Sequence, residues 1–246
     1  MPDDARAKLA IFNVCSWGGL AAVLITLIGW LVAGLLPLPL GPSSSMQDVV
    51  AFYSTDSTRR MFGFVLATLG VCFALPTVGV ITMHMHRMER RLPLLSLIQL
   101  GAGSVTVLIN LLASMLFAVL TFRPELRAPE SIMLLNDLTW LIFFTPIMPF
   151  IIQNLAIGIA VLTNPETTFP RWVGYLNLWV AFAFVPDILA YFFFSGPFAW
   201  NGIFVFWLAL AAYVVFLVVM SVVTRRGNAA LILGGVAEKT EAPASA

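Results

Sequence analysis

Residues 171–194 read RWVGYLNLWVAFAFVPDILAYFFF, an apolar run of membrane length that carries one carboxylate, Asp187, directly after Pro186. About 20 predominantly apolar helical residues cross a hydrocarbon core of about 30 Å. An ionisable side chain within such a segment is costly and marks a functional site by default. The proline before it removes a helix hydrogen bond and frees a carbonyl one turn back, which makes a local polar notch. This stretch sets the class of fold and the first place to look for chemistry.

The whole chain agrees with it. Of 246 residues, 60% are hydrophobic and 10% charged, and the mean hydropathy is +0.96. Soluble domains of this length carry about a quarter charged residues, so the composition fits a polytopic membrane protein. A net charge of +1 and the lack of a Lys/Arg-rich run argue against nucleic acid as a partner. Cys15 and Cys72 both fall in apolar runs and read as small apolar filler. They build neither a metal site nor a disulfide framework. No cofactor is expected: bis-histidine haem bundles and histidine-rich di-iron proteins need histidines within spans or in repeated boxes. This chain has two, His84 and His86. Two residues apart on a helix they diverge, and their stretch, HMHRMERR, reads as a cytoplasmic topology anchor.

Counting apolar runs gives six spans, at about 10–36, 61–83, 94–120, 132–162, 172–194 and 199–223. The fold expected is all-α, a six-helix transmembrane bundle forming a single domain over 1–226. Residues 227–246, rich in Ala, Gly and Glu, read as a disordered cytoplasmic tail. The first run exceeds a signal-peptide core of about 7–15 residues and reads as a retained helix. Six spans put both termini on one side. With the termini inside, Arg6, Lys8, Arg87, Arg90, Arg91, Arg171, Arg225, Arg226 and Lys239 are cytoplasmic, and Arg59, Arg60, Arg123 and Arg127 are outside. The positive-inside rule therefore makes both termini cytoplasmic.

Three connections and one span add detail. In the long outer connection, Ser45-Met46-Gln47-Asp48 has capping-box form before Val49, Val50, Phe52 and Tyr53, which fits a short helix on the outer interface. The loop FRPELRAPE interleaves two arginines with two glutamates, and SGPFAWNG makes a tight outer turn with Trp200 at headgroup level. The fourth run exceeds what a bilayer requires. Its Pro146 and Pro149 imply a broken helix, and together with Gln153 they share one face, which should look into the bundle.

Five stretches, AFYSTDSTRRMFG, FRPELRAPE, NDLTW, FPRWVGYLNLW and FFFSGPFAWNG, cover much of the chain. As a set they resemble an uncharacterised family of six-span bacterial membrane proteins. The resemblance implies the same topology and a bacterial inner-membrane location. It transfers no activity.

Depth narrows the search for a site. At 1.5 Å per residue, Asp137 lies roughly 8 Å below the outer end of the fourth span and Asp187 about 10 Å below that of the fifth. The candidate ligand-binding residues are Asp187 and Asp137, with Asn136, Asn201, Arg59, Arg60 and Arg123 near the same surface and Gln153 and Asn154 deeper. The bland alternative is that Asp187 only pins helices together. The reading preferred is a non-enzymatic protein that binds or transports a small lipophilic or amphiphilic molecule in the outer half of the bundle. An intramembrane enzyme acting on a lipid or isoprenoid, or an accessory subunit of a larger complex, are the alternatives. No nucleophile, DDxxD or cofactor-loop motif supports the enzyme. Expected partners are membrane lipid, the lipophilic ligand, and a second copy or a partner membrane subunit.

Overall fold

A computed structural model describes residues 3–37, 39–89 and 92–241, with side chains as far as residue 233. Arg90 and Arg91, which entered the charge count, and residues 242–246 of the tail lie outside the described residues, as does the side chain of Lys239. The chain is all-helical, with no strand among the described residues, and six segments are long and apolar enough to cross a membrane.

Five of those six spans are interrupted. The first is α1 (Asp3–Ser16) and α2 (Gly18–Ala33), and α3 (Met46–Ser54) follows in the outer connection. The second span is α4 (Ser57–Cys72) and α5 (Ala74–Glu89). The third, α6 (Leu94–Leu120), is continuous. The fourth is α7 (Pro129–Phe144) and α8 (Met148–Thr163), parted at Thr145-Pro146-Ile147 as the two prolines require. The fifth is α9 (Arg171–Ala183) followed by a 3-10 segment, Val185–Tyr191, with Pro186 in its first turn. The sixth opens with a π-helical segment, Ile203–Trp207, and continues as α10 (Leu208–Glu241). The cap forms: the Ser45 hydroxyl accepts the Asp48 amide at 3.2 Å and donates to the Asp48 carboxylate at 2.7 Å.

Side chains are distributed as lipid demands. Phe62, Leu69, Leu108, Trp179 and Phe182 face outward, and Gln99, Gln153, Asn154 and Asn177 are buried. Two apolar cores divide the interior. One holds Ile81, Met85, Phe150, Ile157, Val180, Phe216 and Met220; the other holds Trp30, Tyr53, Phe64, Phe117, Trp140, Phe144, Trp200 and Phe206. Leu27 packs against both.

Spans one and two make the closest contact, through small residues. A Cβ added at Gly29 would lie 2.6 Å from both the Ala67 amide nitrogen and the Gly63 carbonyl oxygen, so only glycine lets these backbones meet. In lipid, where no hydrophobic force separates helix from solvent, such close approach is a main source of association.

The end of the chain departs from the expected tail. α10 runs through Arg225 and Arg226 to Glu241, and Asn228 is fully buried. The composition of 227–246 hid the packing of Asn228, described below, which holds the first of these residues in the helix.

Replacing Gly63 with leucine overpacks the junction of α2 and α4 and should cost about 1–3 kcal/mol or more. Thermal unfolding in detergent should therefore show Gly63→Leu melting well below wild type. Gly79→Leu, a site with nothing within 4 Å, should melt close to it. Equal melting of the two variants would contradict this packing.

Candidate functional site

The irregular segments of spans four, five and six converge on one place. Phe144, Pro146 and Ile147 at the break in the fourth span, Phe184 and Asp187 at the α9 end, and Phe206 in the π segment all line a cavity of about 90 Å³. Its other walls come from α2, α6, α10 and Val71 of α4, and members of both apolar cores contribute to it. Aromatic rings close it on two sides. Trp30, Phe143 and Phe206 form one, with Trp30 at 5.6 Å from Phe143 and 6.4 Å from Phe206. Phe150, Phe184 and Tyr213 form the other, Phe150 lying 4.5 Å from Phe184 and 5.2 Å from Tyr213.

Polar atoms in this cavity lack partners. Asp187 is 1% exposed. Its amide donates to the Phe184 carbonyl at 3.1 Å, but Oδ1 of its carboxylate has no hydrogen bond. The indole nitrogen of Trp30 is likewise buried and unpaired. Buried polar groups are nearly always satisfied, so two orphans of opposite type around one void need an explanation.

The depth argument gave Asp137 and Asp187 similar depths and left open whether they meet; the structure puts them in different polar groups. Asp137 does not line the cavity. It accepts from Asn136 Nδ2 at 3.2 Å, and Asn136 Oδ1 in turn accepts the Tyr53 hydroxyl at 2.8 Å, tying α7 to α3. Burial pushes the Tyr53 phenol well above its ordinary pKa, so it remains a neutral donor. Arg60 belongs to the same end of the bundle. It donates to the carbonyls of Ala33 (2.7 Å) and Thr55 (2.9 Å) and stacks 3.9 Å over Phe52, so its charge closes the end of α2. Arg59 pairs at the surface with Asp56 at 3.7 Å. Arg123 lies over its neighbour Phe122. The Asn201 side chain lies against Gly41, beside Trp200, whose indole donates to the Leu40 carbonyl at 2.8 Å.

Gln153 and Asn154 are buried elsewhere. Gln153 abuts Gly103 of α6, and Asn154 donates to the Phe150 carbonyl within α8. Of the nine candidates, only Asp187 lines the cavity. Sequence reasoning did not select Trp30, Thr26, Thr106 or Tyr213. Nor did it select Asn110, whose amide donates to the Thr106 carbonyl at 2.9 Å within α6.

A second buried polar group lies at the other end of the bundle. Asn228 Nδ2 donates to Asn13 Oδ1 (3.1 Å) and Ser16 Oγ (3.0 Å), which commits its Oδ1 as an acceptor for His84 Nε2 at 3.0 Å. His84 Nε2 therefore carries the proton, leaving Nδ1 to accept from the Thr168 hydroxyl at 3.2 Å. His84, read as a surface anchor, is fully buried and joins α1, α5, α10 and the loop before α9.

Compared with protein-family models, curated proteins and solved structures, the chain matches none. The fold and interior define its class: a multi-pass all-α membrane protein with a buried aromatic cluster.

Tyr53→Phe should cost about 1–3 kcal/mol, because Asn136 Oδ1 is left buried without its donor. Tyr191→Phe removes a bond to Thr145 Oγ1 at an exposed site and should cost less. Thermal unfolding of the two variants checks the order, and the reverse order would contradict it.

Proposed function

We propose that this is a bacterial inner-membrane protein, with both termini in the cytoplasm, that binds or moves a small lipophilic or amphiphilic molecule through the cavity beside Asp187. The observation that carries the reading is a fully buried carboxylate oxygen without a partner in the wall of an aromatic-lined void. Ligand pockets combine apolar walls with a few convergent polar groups. Broken helices at membrane depth are tolerated where they line a cavity, and transporters use them to build sites. The interrupted fourth and fifth spans supply that feature here. Pro146 lines the cavity and is also exposed on the outside of the bundle, which offers a route from the bilayer. Six spans are few for a monomeric transporter, so a second copy or a partner membrane subunit belongs to the proposal.

Two experiments test it. Ala209 lines the cavity and is 4% exposed. Organic extracts of purified wild-type protein should contain a small molecule that Ala209→Leu, eluting at the same volume, lacks. Identical extracts containing only bulk lipid would defeat the binding proposal. For the topology, a C-terminal fusion to a phosphatase active only outside the cytoplasm should be silent, and an active fusion would reverse the orientation.

A further inference from the structure

We propose that the molecule bound in the cavity is a lipophilic amine in its protonated form, its N–H groups directed to Asp187 and its body held among the aromatic rings. This rests on the ligand-binding proposal and narrows it to one chemical class. Three observations lead there. First, the cavity wall contains no lysine, arginine or histidine, and Asp187 is its one carboxylate. The protein thus provides no counter-charge at the site, and a carboxylate there is stabilised by a cation that arrives with the ligand. An anionic ligand would meet no cation in the wall and is disfavoured.

Second, two of the wall's polar side chains turn a donor back onto their own helix. Thr106 Oγ1 donates to the Ala102 carbonyl at 2.9 Å, and Asn110 Nδ2 donates to the Thr106 carbonyl at 2.9 Å. Thr106 Oγ1 and Asn110 Oδ1 keep acceptor capacity, and Asp187 Oδ1 has no hydrogen bond. Trp30 Nε1 is a buried donor without a partner, and the Tyr213 hydroxyl also belongs to the wall. A ligand that donates several hydrogen bonds serves these acceptors, and an ammonium group carries three while an alcohol carries one. Third, aromatic faces attract cations through the ring quadrupole, most strongly where water is excluded. Phe150, Phe184 and Tyr213 together with Trp30 and Phe206 provide such walls. Water molecules could satisfy Asp187 but would gain nothing from those rings.

The test uses the full chain in detergent or nanodiscs and three probes of similar shape: benzylamine hydrochloride, benzyl alcohol and sodium benzoate. Binding is read by quenching of tryptophan fluorescence, since Trp30 lines the cavity, and by thermal shift. Benzylammonium should bind at least about tenfold more tightly than benzyl alcohol, and benzoate should not bind. Asp187→Asn should weaken benzylammonium at least about tenfold and leave benzyl alcohol unchanged. Thr106→Val, which keeps the side chain's shape, should weaken benzylammonium alone and serves where Asp187→Asn does not accumulate. If benzyl alcohol binds as tightly as benzylammonium and neither responds to these substitutions, the amine proposal fails while the binding of a lipophilic molecule stands. If no probe binds, both proposals fail.

Discussion

Hydrocarbon offers no hydrogen bond to a broken helix, and most of this structure follows from that constraint. Each interrupted span must find partners for the backbone groups it frees from within the protein. The junction of α1 and α2 shows how. Thr77 of α5 donates to the Cys15 carbonyl at 3.0 Å and accepts the Gly19 amide at 2.6 Å, so one hydroxyl serves both sides of the break. At the fourth span, Thr145 returns both its amide (2.9 Å) and its hydroxyl (2.7 Å) to the Leu141 carbonyl. The sixth span borrows from the preceding turn, Phe204 donating to the Pro197 carbonyl at 3.0 Å.

Breaks have a second consequence: they change the direction in which side chains leave the helix. Three of them meet around one void, where an unbroken bundle would have packed aliphatic ridges into grooves. Connected polar groups close both ends of the bundle. Trp140 stacks on Trp200 at 6.2 Å beside the Tyr53–Asn136–Asp137 chain at one end. At the other, His84, Asn228, Asn13 and Ser16 form a connected set. Buried side-chain atoms without a partner also occur at Gln99, Ser114, Gln153, Asn154, Asn177 and Ser221, but of all these orphans only the oxygen of Asp187 and the nitrogen of Trp30 belong to residues that line the cavity.

The six spans, the α3 cap and the break at Pro146 were legible because each rests on a local signal: run length, a capping pattern, a missing N–H. The break at Trp17 carries no proline; Gly18 and Gly19 follow it, but the residue that satisfies the break, the distant Thr77, has no local signal. Asp187 was legible as an expensive group. Its surroundings were not, since residue count gives depth along a helix but not rotation about it. Asp137 and Asp187 share a depth by that count, and the rotation of their helices sends one to Asn136 and Tyr53 and the other to the cavity. The same limit hid His84, whose basic neighbours suggested a surface, and Asn228, whose Ala/Gly-rich flank suggested a tail.

The central claim is that the chain leaves the Asp187 carboxylate for a bound molecule. An experimental density map of the full chain in lipid nanodiscs tests it most directly. The account predicts non-protein density within about 2.7–3.2 Å of an Asp187 carboxylate oxygen, enclosed between Phe150 and Trp30. A cavity closed by its own side chains, with both Asp187 oxygens accepting from protein donors, would contradict it.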